Sequence, residues 1–202
     1  RLYVKLYMLA IILNRKNLRE YDQVVSLYTR ERGKLNLLAK GIKKITSKNS
    51  SNLEVLSLAE VETAVGKEVE HLTKVHPIKI FKNIYSDFDK IWLAQYVARL
   101  AEENILPAEP DEKIFNLLIS FLEFLDFAPK INSLNLATSF IFKLWRYLGF
   151  GLEDAKQQVW VKSDWKTVNN LNLFASEQGE AHNFAVKFAT YHANRLIWTF
   201  FP

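Results

Sequence analysis

Basic side chains cluster around one short turn of this 202-residue sequence. The turn Arg30-Glu31-Arg32-Gly33 separates two apolar runs, and more lysines follow the second run. The basic residues in the turn and after it are Arg30, Arg32, Lys34, Lys40, Lys43, Lys44 and Lys48. Guanidinium and ammonium groups at this density bind phosphate, in nucleic acid or in anionic lipid, unless they only keep a surface solvated. Phosphate binding and a solvated surface are therefore the two interpretations of this cluster.

The net charge of +5 is distributed unevenly along the chain. Residues 1–48 contain twelve Lys and Arg against three acids, a balance of +9, whereas the remaining 154 residues contain fifteen against nineteen, a balance of −4. A basic segment on a mildly acidic body favours encounter with a polyanionic partner, because its field attracts phosphates over a distance.

Catalytic and metal-binding residue types show no comparable grouping. The chain has no cysteine, which excludes disulfides, thiol catalysis and cysteine zinc sites, and its four histidines lack a metal-ligand spacing. No G-x-x-x-x-G-K-[ST] loop is present to hold a nucleotide. The sequence therefore predicts a protein that is not an enzyme and needs no cofactor or metal.

No long uncharged apolar stretch suggests a membrane span. A span needs about 18 or more such residues, and the apolar run at residues 6–13 is too short and lacks a small-residue cleavage site after it. We therefore expect a soluble cytoplasmic protein without a membrane partner.

The cations of the turn are positioned by predicted strands. From Lys34 to Lys40 the residues alternate, so that Leu35, Leu37 and Ala39 share one face of a strand while the lysines lie on the other. Gly33 lies where a hairpin requires a positive φ. The predicted strands are residues 6–13, 24–29, 34–40, 53–63 and 69–75. Five short strands indicate a closed Greek-key barrel of the OB type, and the basic segment 43–52 is expected to be a mobile loop.

Helical periodicity begins after Pro77. The sequence predicts helices at residues 78–85, 86–104, 111–126, 133–148 and 181–200, and a short strand or irregular layer at 158–172. Ser86 and Asp89 resemble a capping box, and Pro110 suits the first turn of the next helix. That helix is apolar on nearly every side, so Phe121 is expected in a bundle core. The predicted fold class is α+β, with an OB barrel at 1–77 and a helical domain at 78–202.

The sequence also carries segments that together resemble a known family. In order they read SLYTRERGKLNLLAKGIKK, LEVLSLAEVE, HLTKVHPIKIFKNI, LAQYVARLAEE and FKLWRYLGF. The most specific of them ends in Ala39-Lys40-Gly41 with cations immediately after it. This arrangement is similar to that of the bacterial RecO recombination mediators. The resemblance covers residues 5–151, whereas 152–202 match poorly.

The resemblance implies a protein that binds single- and double-stranded DNA and anneals complementary strands. It also implies that the protein cooperates with RecR and SSB to help place RecA on gapped DNA. The implied location is the cytoplasm, in association with the nucleoid. Carried over by position, the DNA-binding residues are the seven cations named above. Tyr28, beside Arg30, is a candidate for stacking on a base, with a place in the barrel core as the alternative. An OB-fold interaction adaptor without strong DNA binding is the alternative function.

RecO-like proteins also receive the SSB tail on their helical domain, through basic residues that often open the helix before the LGF segment. Here that position reads Leu136-Ala137-Thr138-Ser139, and the nearest cations are Lys143 and Arg146. These two residues are therefore the partner-binding candidates. Phe121 is a third if its helix leaves an apolar groove open. The cysteine zinc module that often follows LGF is missing, so a structural zinc is not expected.

Overall fold

The computed structural model describes residues 5–44, 47, 49–66, 69–151 and 155–193. Contacts divide the chain into two compact units, one formed by Arg1–Phe81 with Ala101–Ile119 and the other by Lys82–Leu100 with Ser120–Pro202. The first unit thus contains a segment, residues 101–119, that lies beyond the predicted domain boundary at residue 77.

Five strands form a closed barrel in the first unit, and all neighbouring pairs are antiparallel except one parallel pair, between the third and fifth strands. The strands are β1 (Lys5–Asn17), β2 (Gln23–Thr29), β3 (Gly33–Ala39), β4 (Ser57–Val65) and β5 (Glu70–Ile80). Their order around the barrel is β1-β2-β3-β5-β4, and β4 pairs back with β1, as in an OB fold. The predicted α+β fold with an N-terminal five-stranded OB-type barrel is therefore confirmed.

Alternate side chains of these strands fill the barrel. The inward-facing residues include Met8, Ala10, Ile12, Val25, Leu27, Leu35, Leu37, Ala39, Ala59, Val61, Leu72 and Val75. The predicted packed face of β3 is thus confirmed. Since side chains alternate along a strand, the intervening residues of β2 and β3 face outward, where other parts of the chain can cover them.

Two predicted boundaries near the barrel are wrong. The fourth strand begins at Ser57, because Leu53 and Leu56 enter the core from the preceding loop. The helix predicted at 78–85 is only α1 (Lys82–Tyr85), because β5 continues through Pro77 to Ile80. A shift of register in the β4–β5 ladder accommodates Pro77 and leaves Ile78 as an extra residue, which is where a strand tolerates proline.

The longer helices largely follow the predicted pattern as far as residue 148. They are α2 (Phe88–Asn104), α3 (Glu112–Phe127), α4 (Ser133–Tyr147), α5 (Ala155–Lys162), α6 (Trp165–Asn169) and α7 (Ala175–Ala193). The prediction of a strand or irregular layer at 158–172 is wrong, since α5 and α6 occupy it. The last predicted helix begins earlier than expected, and its part beyond residue 193 lies outside the described residues.

The helix starts differ in detail from the prediction. At α2, the Asp87 carboxylate accepts a hydrogen bond from the backbone N–H of Lys90, so Asp87 caps the helix instead of a Ser86–Asp89 box. At α3, the Asp111 carboxylate accepts from the N–H groups of the third and second residues after it. The negative charge of an aspartate at these positions also stabilises the helix by interacting with the positive end of its dipole.

The second unit is organised around α4, which contacts α5, α6 and α7 and is buried along residues 135–145. Phe121 of α3 is fully buried there, with its ring 5.2 Å from Phe140 and 4.8 Å from Trp165 in edge-to-face geometry. His182 of α7 is also buried, its Nδ1 lying 3.1 Å from the Thr138 hydroxyl, and burial lowers its pKa to about 4. None of the helices in the described ranges is both long and apolar enough to cross a bilayer.

Candidate nucleic-acid interface

The turn between β2 and β3, Arg30–Gly33, forms one end of the candidate surface and is called the hairpin end below. Gly33 adopts a φ of +68°, as the sequence predicts. The Thr29 hydroxyl donates to the Gly33 carbonyl at 2.9 Å and accepts from the Arg32 N–H at 3.0 Å, which fixes the turn. The turn therefore holds Arg30 and Arg32 on a rigid frame.

Both arginines of the hairpin end are already paired with carboxylates. Arg30 forms an ion pair with Glu112, and Arg32 donates to Glu70 at 2.7 Å. Burial alone would raise the pKa of Glu70, but hydrogen bonds from Arg32 and Thr63, with the charge of Arg32, lower it overall. Both pairs remain partly open to solvent, with the Arg30 and Arg32 side chains 50% and 37% exposed, so a phosphate would compete with these carboxylates for the guanidinium groups.

The outward face of β2 and β3 next to this turn is covered by residues 102–111, the covering segment. The Lys34 ammonium donates to the Glu102 carbonyl at 2.6 Å, and the Lys34 carbonyl accepts from the Ala108 N–H at 2.9 Å. Lys34 is only 8% exposed. The expectation that Lys34 contacts DNA is therefore not supported by its position, because its charged group is directed to the protein backbone.

Tyr28 is covered by the same segment. Its side chain is 0% exposed, and its hydroxyl accepts from the Asp111 N–H at 3.0 Å. Burial also raises the pKa of this hydroxyl. The stacking role considered for Tyr28 is wrong in this structure, since no base can reach the ring. The alternative of the barrel core is also inexact, because Tyr28 lies on the outward face of β2, beneath the covering segment.

The opposite ends of β2 and β3 carry a second group of cations. The turn 18–22 connects β1 to β2, and the turn 40–44 follows β3; together they are called the loop end. They are joined by hydrogen bonds from the Gly41 N–H to the Asp22 carboxylate at 2.7 Å and from the Lys43 N–H to the Tyr21 carbonyl at 3.1 Å. Two sequence segments about twenty residues apart thus form one surface.

The loop end carries exposed basic side chains around an exposed aromatic ring. The exposed cations are Arg19, Lys40, Lys43 and Lys44. Tyr21 is 45% exposed, and the Lys44 ammonium lies 5.7 Å from its ring centroid. The acids of this surface are Glu20 and Asp22. The hydrogen bond of Glu20 with Tyr21, with a smaller contribution from burial, raises the pKa of the Tyr21 hydroxyl. Within the described part of the chain, these four cations have no ion pair with a carboxylate.

The structure therefore separates the predicted DNA-binding residues into two groups. The register pairs Gln23 with Ala39 at one end and Thr29 with Gly33 at the other. Seven-residue strands place these ends about 20 Å apart. Lys40, Lys43 and Lys44 lie at the loop end, Arg30 and Arg32 at the hairpin end, and Lys48 lies outside the described residues.

Arg19 and Tyr21 are not among the residues that the sequence pattern predicts for this surface. Both lie in the short polar turn Leu18-Arg19-Glu20-Tyr21-Asp22 between two strongly apolar strands. A tyrosine in such a turn is expected to be exposed, and this signal was available. What the sequence did not indicate is that this turn lies against residues 40–44, since that contact depends on the pairing of β2 with β3.

Two of the three partner candidates in the second unit are internal. Phe121 belongs to the core, as the preferred prediction states, so it offers no groove to a partner. The Lys143 ammonium donates to the carbonyls of Val161 at 2.9 Å and Ser163 at 2.7 Å, at the end of α5. Burial lowers the pKa of Lys143, partly offset by the charge of Asp164. Lys143 is therefore a structural cap, and only Arg146 is exposed.

Comparisons with known proteins identify the family of this chain. The profile of the family described as Recombination protein O N terminal matches residues 7–81, and that of Recombination protein O C terminal matches residues 85–156. The first match and most of the second fall within residues 5–151, which carry the sequence resemblance, and the second match extends to residue 156. The second match ends within α5, so α6 and α7 lie outside it.

Individual relatives agree with these matches. The DNA repair protein RecO of Desulfitobacterium hafniense is 26% identical over 141 residues, which cover 70% of this chain and 50% of the relative. The RecO proteins of Anaeromyxobacter dehalogenans and Dehalococcoides mccartyi are 33% and 35% identical over 59% and 58% of this chain, and 48% and 46% of their own. The chain thus spans about half the length of the curated relatives it matches. With both family profiles matched in order, this chain belongs to the RecO family of recombination proteins.

Proposed function

We propose that this chain acts in recombinational DNA repair by binding the phosphate backbone of DNA at the loop end of its barrel. The observation that carries the proposal is the group of four exposed cations, Arg19, Lys40, Lys43 and Lys44, which have no carboxylate partner among the described residues. An OB barrel often binds oligonucleotides through the face of its second and third strands and the loop between its first two strands. Here residues 102–111 cover that face next to the hairpin end, whereas the loop end includes the loop between β1 and β2.

Binding of this kind is expected to be independent of sequence. Long lysine side chains at turn positions contact phosphate oxygens and do not read base edges. In this proposal the chain binds single- and double-stranded DNA and holds complementary strands together during annealing. It makes or breaks no covalent bond. We expect it to act in the cytoplasm at the nucleoid.

Family membership extends the proposal to partners. We propose that RecR and SSB cooperate with this chain and that RecA is loaded as an indirect result. A binding site for the SSB tail is expected to combine cations with an apolar groove. The place best suited to it is a cavity of about 800 Å³ in the second unit. Phe124 and Phe127 line it, with Lys130 and Lys166. This cavity meets the expectation better than Lys143 or Phe121, both of which are buried.

The DNA-binding proposal is tested by the salt dependence of affinity for a fluorescent single strand, measured by anisotropy. If four cations each neutralise one phosphate, log K should fall against log salt with a slope of about −3. Changing Lys40, Lys43 and Lys44 to glutamine should flatten the slope by about 2. The matched control changes Arg30 and Arg32 to glutamine at the hairpin end and should alter the slope much less.

The results separate two candidate functions. An unchanged slope in the lysine variant, with the fold intact by circular dichroism, would refute the loop end as the contact surface. Absence of salt-dependent binding in the unmodified chain would favour the interaction adaptor. One observation supports that second candidate, since Arg30, Arg32 and Lys34 are all engaged within the chain. Annealing of bare and SSB-coated strands then distinguishes DNA binding from the mediator role.

The SSB contact has its own test. Anisotropy of a labelled SSB tail peptide should show weaker binding when Lys130 and Lys166 are changed to glutamate, whereas Arg146→Glu on the exposed face of α4 serves as the control. Loss of peptide binding only in the Arg146 variant would contradict the choice of the cavity.

A further inference from the structure

Hydrogen bonds hold the turn that carries the exposed aromatic ring of the loop end. The carbonyl of Tyr21 accepts from the Lys43 N–H at 3.1 Å, and the next residue, Asp22, accepts from the Gly41 N–H at 2.7 Å. The Asp22 carbonyl also closes the turn by accepting from the Leu18 N–H at 3.1 Å. Two bonds to backbone carbonyls and one to the Asp22 carboxylate therefore hold the turn that carries the ring.

The surroundings of the ring suit one class of ligand. Tyr21 is 45% exposed, and the Lys44 ammonium lies over its ring at 5.7 Å from the centroid. Lys40 and Lys43 are exposed on the same turn. Phosphates that bind these lysines bring attached bases close to the ring. An unpaired base has a free π-face and can stack on an aromatic side chain, whereas the bases of a duplex are already stacked on each other.

We propose that Tyr21 is a stacking residue for unpaired bases and makes the loop end prefer single-stranded over double-stranded DNA. The inference rests on the proposed function, because it requires DNA at the loop end. It adds a residue that no basic cluster indicates and a substrate preference that phosphate contacts alone do not provide, since both DNA forms carry phosphates. Lys44 then contributes by neutralising a phosphate beside the stacked base.

The test compares single-strand and duplex affinities for three variants of the full chain. Tyr21→Ala should weaken binding of an oligothymidine strand by about tenfold, the range expected for loss of one stacked base, and duplex binding by less than twofold. Tyr21→Phe keeps the ring and should bind both forms within twofold of the unmodified chain. Tyr7→Ala removes another exposed tyrosine, near the start of β1, and should change neither affinity.

A geometric readout complements the affinities. An oligonucleotide with 5-iodouracil, irradiated on the protein, should crosslink to Tyr21, because this base reacts with an aromatic ring on which it is stacked. Equal losses for both DNA forms in Tyr21→Ala, or no loss while the unmodified chain binds DNA, would overturn the stacking role and leave the proposed function intact. Failure of the unmodified chain to bind any DNA would overturn both.

Discussion

Replacement of Phe121 by alanine tests the core of the second unit. The side chain is fully buried, and its ring makes edge-to-face pairs with Phe140 and Trp165 at 5.2 and 4.8 Å. Truncation removes the ring and leaves a cavity that the surrounding helices fill only in part. Phenylalanine-to-alanine changes in cores cost about 3 to 5 kcal/mol of unfolding free energy. Phe121→Ala also removes two aromatic pairs, each worth about 0.5 to 1.5 kcal/mol, so we expect its cost in the upper half of that range.

The same helix provides a matched control. Phe127 is 88% exposed at the end of α3, so Phe127→Ala should change the free energy of unfolding by less than about 0.5 kcal/mol. Urea unfolding followed by circular dichroism measures both variants. Phe121→Leu, which keeps most of the buried volume, serves if the alanine variant does not fold, and it should lose clearly less stability than alanine.

Binding measurements separate core packing from partner recognition. The folded fraction of Phe121→Ala should keep its DNA affinity, because the ring is fully buried. A loss of less than 1 kcal/mol for Phe121→Ala would refute the cavity argument. Normal stability with loss of binding to an SSB tail peptide would instead assign Phe121 to an open docking groove.

Three further predictions concern polar and backbone features. Burial lowers the pKa of His182 from an ordinary 6.5 to about 4, so the folded state favours the neutral imidazole. The resulting contribution to the free energy of unfolding is fully present above pH 6.5, and up to about 3 kcal/mol of it is lost as the pH falls toward 4. His182→Gln should flatten the fall in urea stability over this interval, and parallel pH profiles would contradict it. Lys143→Met should cost about 2 kcal/mol by removing two hydrogen bonds from a charged donor, whereas Arg146→Met should cost under about 0.5. Gly33→Ala should destabilise by about 2 kcal/mol or more, because its Cβ would lie 2.2 Å from a backbone oxygen of the covering segment and its φ is positive. In the same urea assay Gly179→Ala, in open space within α7, should stabilise slightly, and equal effects of the two changes would contradict the steric argument.

Local pattern was sufficient for most of the barrel and for the long helices. The alternation of Leu35, Leu37 and Ala39 fixes which face of β3 is buried, since neighbouring strand residues point to opposite sides. Gly33 could be assigned to a turn because few other residues adopt a positive φ. The dense apolar surface of α3 likewise indicated a buried helix, and Phe121 lies in the core as expected.

Local pattern failed where propensity and packing disagree. The run Val159-Trp160-Val161 contains residues that favour strands, yet it lies in α5, because α4 offers an apolar surface that a helix can cover. Pro77 suggested a strand end, but a shift of register lets β5 continue past it. In both cases the outcome depends on a neighbouring element that the local sequence does not specify.

The same distinction applies to the candidate site. The sequence by itself determined that the barrel segment is basic, that a turn carries Arg30 and Arg32, and that Lys40, Lys43 and Lys44 follow β3. Only the tertiary structure decided which of these charges are paired or covered within the chain. Glu112 pairs with Arg30 across 82 positions of the chain, and the Glu102 carbonyl accepts from Lys34 across 68. Periodicity shows which side of a strand a cation lies on, but the segment that covers that side comes from a distant part of the chain, and the free energy of its packing decides whether the charge stays exposed.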